Sequence, residues 1–136
     1  MNSLQSNDMK FKWVSAHNAE NQQDYVVLTL PLDGLIESWR ASIVAHEWLY
    51  QGQCRAKDDL KTDDLKQEWQ NICDQFESGA DIERPLLGIG MLDNIEVGTN
   101  RAVVSVAHHL GLSSIEVLAP KSMADTIDSL ARLINA

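Results

Sequence analysis

The stretch Gly98-Thr99-Asn100-Arg101 places a glycine, two short polar side chains and a guanidinium where one pattern of apolar residues gives way to another. Before it, Ile95 and Val97 alternate as in a short strand. After it, Ala102, Val103, Val106, Ala107 and Leu110 repeat at helical spacing until Gly111. A strand feeding a helix through such a turn is chemically useful. Glycine lets the backbone approach a ligand or adopt positive φ. The first helical N–H groups are unpaired and carry about half a unit of positive charge, so helix N-termini attract phosphate and carboxylate. A guanidinium adds a two-pronged donor for phosphate oxygens. Arg101 in a helix's first turn also faces a dipole of its own sign, which an intervening anion would relieve. The same residues also read as a plain turn in which Gly98 makes the bend, Thr99 caps the helix and Arg101 pairs with Glu96 or Asp93. Spacing alone leaves both readings open.

Other residues with chemical potential are weaker. His108 and His109 are adjacent on the same helix and point about 100° apart, unlike zinc ligands spaced three or four residues apart. A histidine near a helix C-terminus is favoured by the dipole alone. His46 and Glu47 suit a partly exposed helical surface. The acidic run "DDLKTDDLKQE" lacks the ligand spacing and glycine of a calcium loop and reads as a solvated helix start. The two cysteines, Cys54 and Cys73, have no partner at metal-ligand spacing, and no metal site is expected. They read as unpaired thiols in a reducing compartment. Two or three of the four tryptophans, Trp13, Trp39, Trp48 and Trp69, are expected in the core, and any left on the surface would mark a partner interface.

Composition sets the limits. The chain has 136 residues, 44% hydrophobic and 23% charged, the profile of one globular domain large enough for a real core. Its formal net charge is −9. Sequence-independent nucleic-acid binding needs a basic face to displace counterions, so it is disfavoured, as is attachment to a membrane surface. No run reaches the roughly 20 apolar residues of a membrane span. The N-terminus lacks a secretion-signal pattern, and a cytoplasmic location is the expectation.

The elements that must position the candidate site follow from periodicity. Residues 1–8 read as a flexible terminus and 9–136 as a single domain. "MKFKWV" predicts an edge strand, 15–23 a polar loop, and "DYVVLTLPL" a buried central strand ending at Pro31. "DGLIESWRASIVAHEWLYQGQ" reads as one long helix with Ile36, Trp39, Ile43 and Tyr50 near one face. A second helix carries Leu65, Trp69, Ile72, Cys73 and Phe76, capped by Thr62 and stopped at Gly79. "IERPLLGIGMLDNIEVG" predicts a hairpin turning at Asp93-Asn94. Met123, Ile127, Leu130 and Ile134 predict a closing amphipathic helix capped by Ser122. The order β-β-α-α-β-β-α-β-α gives an α+β class: one small mixed sheet with flanking helices.

Residues 24–120 resemble the ParB/sulfiredoxin-like family. The resemblance rests on Pro85-Leu86-Leu87, the following hairpin, Gly98-x-x-Arg101 opening a helix, Gly111 near its end and the strand Ile115-Glu116-Val117. It implies that fold, in a small stand-alone member, and a nucleotide or other phosphate ligand gripped by Gly98, Thr99, Asn100 and Arg101. It also implies that Asp33 and Glu37 approach the phosphate, where an acid would activate a hydroxyl or bind Mg²⁺. A nucleotide with Mg²⁺ is the only cofactor it suggests. The departures are informative. Thr99 and Asn100 stand where sulfiredoxins carry a catalytic cysteine and a histidine, so sulfinic-acid reduction is not expected. A partition clamp's later Glu-Asn-x-x-Arg motif and helix-turn-helix are missing. Catalysis stays open. The alternative is a non-enzymatic protein–protein interaction module that keeps the fold, with a protein partner or a homodimer.

Overall fold

The most deeply buried element is the helix that follows the candidate loop. The structure, a computed structural model, describes residues 11–15 and 24–133. The N-terminal segment expected to be flexible, most of the 15–23 loop and Ile134 of the closing helix lie outside them. The strands are β1 (Lys12–Val14), β2 (Tyr25–Pro31), β3 (Leu49–Tyr50), β4 (Gln53–Cys54), β5 (Asp81–Glu83), β6 (Leu87–Ile89), β7 (Ile95–Val97) and β8 (Ser114–Pro120). The helices are α1 (Leu32–Trp39), α2 (Asp63–Ser78), α3 (Arg101–His109) and α4 (Ala124–Arg132). In α3 every residue from Ala102 to Ala107 is buried, so the helix is apolar on all sides and is wrapped by the rest of the chain. The class is mixed α and β in one domain-sized unit.

The strands form short ladders of both senses. β2 pairs antiparallel with β8 over Tyr25–Pro31, β6 antiparallel with β7, and β1 parallel with β5. A parallel bridge between Leu86 and Leu118 joins the β6–β7 hairpin to β8, making one sheet edge continuous with the next. β1 has the peripheral place its short pattern predicts. β2 does not take the central place predicted for it: among the described residues it pairs with β8 alone, and Val27 is 47% exposed. Its apolar run is used instead under α4 and α1, which cover it in place of a second neighbouring strand.

The long helix expected over residues 33–53 is the main correction. The helix stops at Trp39; a 3₁₀ turn over Val44–Glu47 and the β3–β4 hairpin take the remainder. Gln51 (φ 52°) and Gly52 (φ 78°) are both left-handed, the pairing that a two-residue type I′ turn requires. Ile43 and Tyr50, expected on the buried face, are exposed, whereas Trp39, Trp48 and Leu49 are in the core. The helical spacing of Ile36, Trp39, Ile43 and Tyr50 was coincidental, since β-branched Ile43 and Val44 and the Gly52 turn favour other backbone shapes.

Other caps and turns are mixed. Thr62 accepts a bond from the Leu65 N–H and Gly79 (φ 75°) ends α2 in the left-handed region, as the sequence indicates. Gly111 (φ 81°) ends α3 with Leu112 N–H bonded to the Ala107 carbonyl, a Schellman closure. Ser122 does not cap α4; Met123 holds that position with no side-chain bond. The hairpin turns at 91–93 rather than at Asp93-Asn94, because Gly90 and Asn94 still pair and Asp93 (φ 56°) takes the left-handed position. Trp39, Trp48 and Trp69 are buried and Trp13 packs against the core, so none is left on the surface.

α1 and α4 meet at Gly34, where a Cβ would overlap the Ala131 carbonyl oxygen. In an open helix alanine is preferred to glycine by about 1 kcal/mol; here the backbone-to-backbone approach reverses the sign. Gly34→Ala is expected to lower stability by about 2 kcal/mol in urea unfolding. A variant as stable as wild type would contradict this packing.

Candidate functional site

Loop 98–100 is tied down to the segment that leads into β6. The Gly98 N–H donates to the Leu86 carbonyl (2.8 Å), and Thr99 Oγ1 accepts from the Leu86 N–H (3.0 Å). Both backbone polar groups of Leu86 are thereby held by two successive loop residues. The Asn100 side-chain amide donates to the Glu83 carbonyl (3.1 Å), and a Cβ on Gly98 would lie 3.3 Å from the Leu86 oxygen. The supporting segment is itself anchored. Leu118 N–H donates to the Pro85 carbonyl, and Arg84 pairs with Glu116 (3.0 Å) and donates to Ser15 Oγ.

Three consequences follow for the predicted residues. Thr99 is not the N-cap; Asn100 occupies that position in the left-handed region (φ 51°, ψ 45°), and its side chain makes no capping bond. Its Nδ2 is held by the Glu83 carbonyl, and its Oδ1 takes no bond from the first turn of α3. No acidic residue lies in that turn. The Arg101 Nε donates to the Val97 carbonyl (2.8 Å), which folds the side chain back over the loop and leaves its two Nη groups without a partner among the described residues.

Arg101 pairs with neither Glu96 nor Asp93. Glu96 accepts from the Ser42 hydroxyl (2.7 Å) and from the Asn94 amide, toward the other end of the hairpin. Asp33 and Glu37 are also placed elsewhere in the network. Glu37 pairs with Arg40 (3.3 Å) on the exposed side of α1. Asp33, exposed in the first turn of α1, acts on Cys54. Burial first, and the Asp33 charge second, push the Cys54 thiol up to about 12. Cys73 is raised as well, by burial and then by Glu77 and Asp74. Both thiols are protonated at neutral pH and are poor nucleophiles. The structure thus brings Gly98, Thr99, Asn100 and Arg101 together and does not join Asp33 or Glu37 to them by an ion pair.

Beside the loop lies an open groove of about 540 Å³ lined by Val14, Ser15, Ile72, Gln75, Asp81, Glu83 and Asn100. Its two carboxylates give it an acidic wall. Among the described residues no group of three or more His, Cys, Asp or Glu side chains could hold a metal ion. At the far end of α3, His109 stacks edge-on against Trp69 (5.0 Å between ring centres), a packing role, and His108 is exposed. Sequence reasoning missed Glu83 and Leu86 as anchors of the loop. Pro85, which ends one extended segment just before the hairpin, was the local signal.

No protein-family profile, curated protein or solved structure matches this chain. Among the described residues no helix is long and apolar enough to cross a membrane.

Thr99→Val keeps the shape of the side chain and removes the acceptor for Leu86. It is expected to cost about 1 kcal/mol of stability in chemical denaturation. An unchanged midpoint would mean that the Leu86 N–H is satisfied without Thr99.

Proposed function

We propose that this chain is a ParB/sulfiredoxin-like domain that binds a nucleotide or another phosphate-bearing small molecule at the start of α3. The observation that carries the reading is Arg101. In a chain with net charge −9, it sits in a helix's first turn with no carboxylate partner among the described residues and with both Nη groups uncommitted. A cation so placed is unfavourable against the helix dipole and becomes favourable once an anion lies between them. The element order supports the fold side of the reading: Pro85-Leu86-Leu87 enters a hairpin, Gly98–Arg101 opens α3, and Gly111 leads into β8.

The division of labour within the loop is specific. Thr99 and Asn100 act as fasteners through Leu86 and Glu83 rather than as ligands. Phosphate oxygens would be held by the Arg101 guanidinium and the first N–H groups of α3. Gly98 keeps the loop close to Leu86. Asp33 and Glu37 are not assigned a catalytic role in this reading, and binding is proposed without turnover. Any Mg²⁺ would arrive with the nucleotide.

A second reading, an interaction module, is favoured by a separate observation. Ile43 (84% exposed) and Val44 follow Ser42, and Met91 (fully exposed) and Leu92 follow Gly90 at the hairpin tip. Glu96 joins the two places, bonding to Ser42 while its carboxylate lies over Gly90. Four exposed apolar side chains at one end of a small domain are the kind of surface that partner proteins use.

Thermal unfolding with CTP, ATP, GTP and their diphosphates, with and without Mg²⁺, separates the readings. A ligand at one hundred times its dissociation constant adds about 2.7 kcal/mol, a shift of a few degrees. Wild type is expected to shift with at least one nucleotide and Arg101→Ala with none. Absence of any shift in wild type would reject the phosphate reading and leave the Ile43–Leu92 end as the functional surface.

A further inference from the structure

The segment between α1 and α2, which looks helical in sequence, builds a second concave site that shares no residue with the Gly98–Arg101 loop. An open pocket of about 380 Å³ lies between the end of α1 and the β3–β4 hairpin, lined by Arg40, His46, Leu49, Gln51 and Gly52. Its ionisable lining is one guanidinium and one imidazole, with no carboxylate. That is a local reversal of sign in a strongly acidic protein.

The donors are positioned from several sides. A Cβ on Gly52 would lie 2.5 Å from Arg40 Nη1, so the guanidinium packs directly on the turn backbone, where Gly52 has a positive φ of 78°. On its other side Arg40 Nε meets Glu37 at 3.3 Å, which fixes the side chain and leaves the Nη edge for other acceptors. The His46 Nδ1 donates to the Ile43 carbonyl, which orients the ring and frees Nε2. The N–H groups of Gln51 and Gly52, at the tip of the type I′ turn, donate to no backbone carbonyl. Leu49 supplies an apolar floor.

We propose that this pocket binds a small oxyanion, the phosphate group of a phosphomonoester, between Arg40 and His46. The Arg40 Nη edge holds two phosphate oxygens in the forked geometry of guanidinium–phosphate pairs. Neutral His46 accepts from a monoprotonated phosphate through Nε2; the charged ring donates to the dianion instead. The pocket lies in the size range of small-molecule sites, so it has room for a short organic body beyond the phosphate. Glu37 then has a definite function: it positions Arg40 and, as an anion beside the site, weakens the binding it helps to shape.

The sign of the Glu37 effect makes the proposal testable. The full chain is titrated with inorganic phosphate and with glycerol 3-phosphate, following the Gln51 and Gly52 amides by ¹⁵N–¹H NMR. The expected result is a saturable shift at both amides that weakens at least tenfold in Arg40→Gln and several-fold in His46→Gln. It persists in Arg101→Ala and tightens several-fold in Glu37→Gln. All three residues at this site are exposed, so these variants should fold, and an unchanged NMR spectrum away from the pocket checks that they do. No saturable shift in wild type would overturn the proposal. So would loss of the shift in Arg101→Ala, or weaker binding in Glu37→Gln in parallel with Arg40→Gln. The Arg101→Ala arm keeps this site and the one at α3 distinguishable.

Discussion

The backbone of one residue, Leu86, organises the region around the candidate loop. The N–H and C=O of Leu86 are both bonded to the turn that opens α3, through Thr99 Oγ1 and the Gly98 N–H. The carbonyl of Pro85, one residue earlier, takes the Leu118 N–H and so carries β8. Arg84, a residue earlier again, reaches Glu116 and Ser15, and the Glu83 carbonyl holds Asn100. Four consecutive residues thus connect β1, β5, β8 and the entry to the central helix. Leu86 is half-buried, and both of its backbone polar groups find their partners in the loop. Loop 98–100 therefore follows from the hydrogen-bond needs of 83–86 as much as from its own sequence.

The burial of α3 sets what that loop can do. Because Ala102 to Ala107 are enclosed, the helix meets solvent only near its two ends. At the C-terminal end, His108 and His109 complement the dipole and His109 packs on Trp69. At the N-terminal end Arg101 supplies a cation whose two Nη groups have no partner among the described residues. Thr99 and Asn100 look like ligands by residue type, but each gives one hydrogen bond to the protein that fixes the loop. The loop is rigid by construction, and a rigid donor set is what a phosphate site needs. The unpartnered hydroxyl of Ser105 inside the same helix has no such use; nothing around it explains its retention.

How much of this was legible in the sequence depended on how far away each partner lay. The second long helix could be read from Thr62, its apolar spacing and Gly79, since cap, stripe and stop are all local. The strand–loop–helix–Gly111–strand order around the candidate site was readable for the same reason. The roles of Thr99 and Asn100 were not, because their partners lie 13 and 17 residues upstream. Residues 40–53 misled for a different reason. A helical spacing of apolar residues was present by chance, while the Gln51-Gly52 pair lacks the asparagine or aspartate that usually announces a type I′ turn. The same error hid the Arg40–His46 pocket, because on a continuous helix those two side chains would not have faced a hairpin turn. For β2, an apolar run stood for cover by helices rather than for strands on both sides.

The loop that opens α3 clamps the Leu86 backbone at both its N–H and its C=O. Amide hydrogen exchange of Leu86 tests it most directly, because that residue precedes β6 and would otherwise exchange like a loop. The structure predicts that its N–H is protected to nearly the same degree as the Val97 and Val103 amides, opening only with the surrounding core. Exchange of Leu86 near the rate of an unstructured peptide, with Val103 still protected, would contradict the clamp and the placement of Arg101 that depends on it.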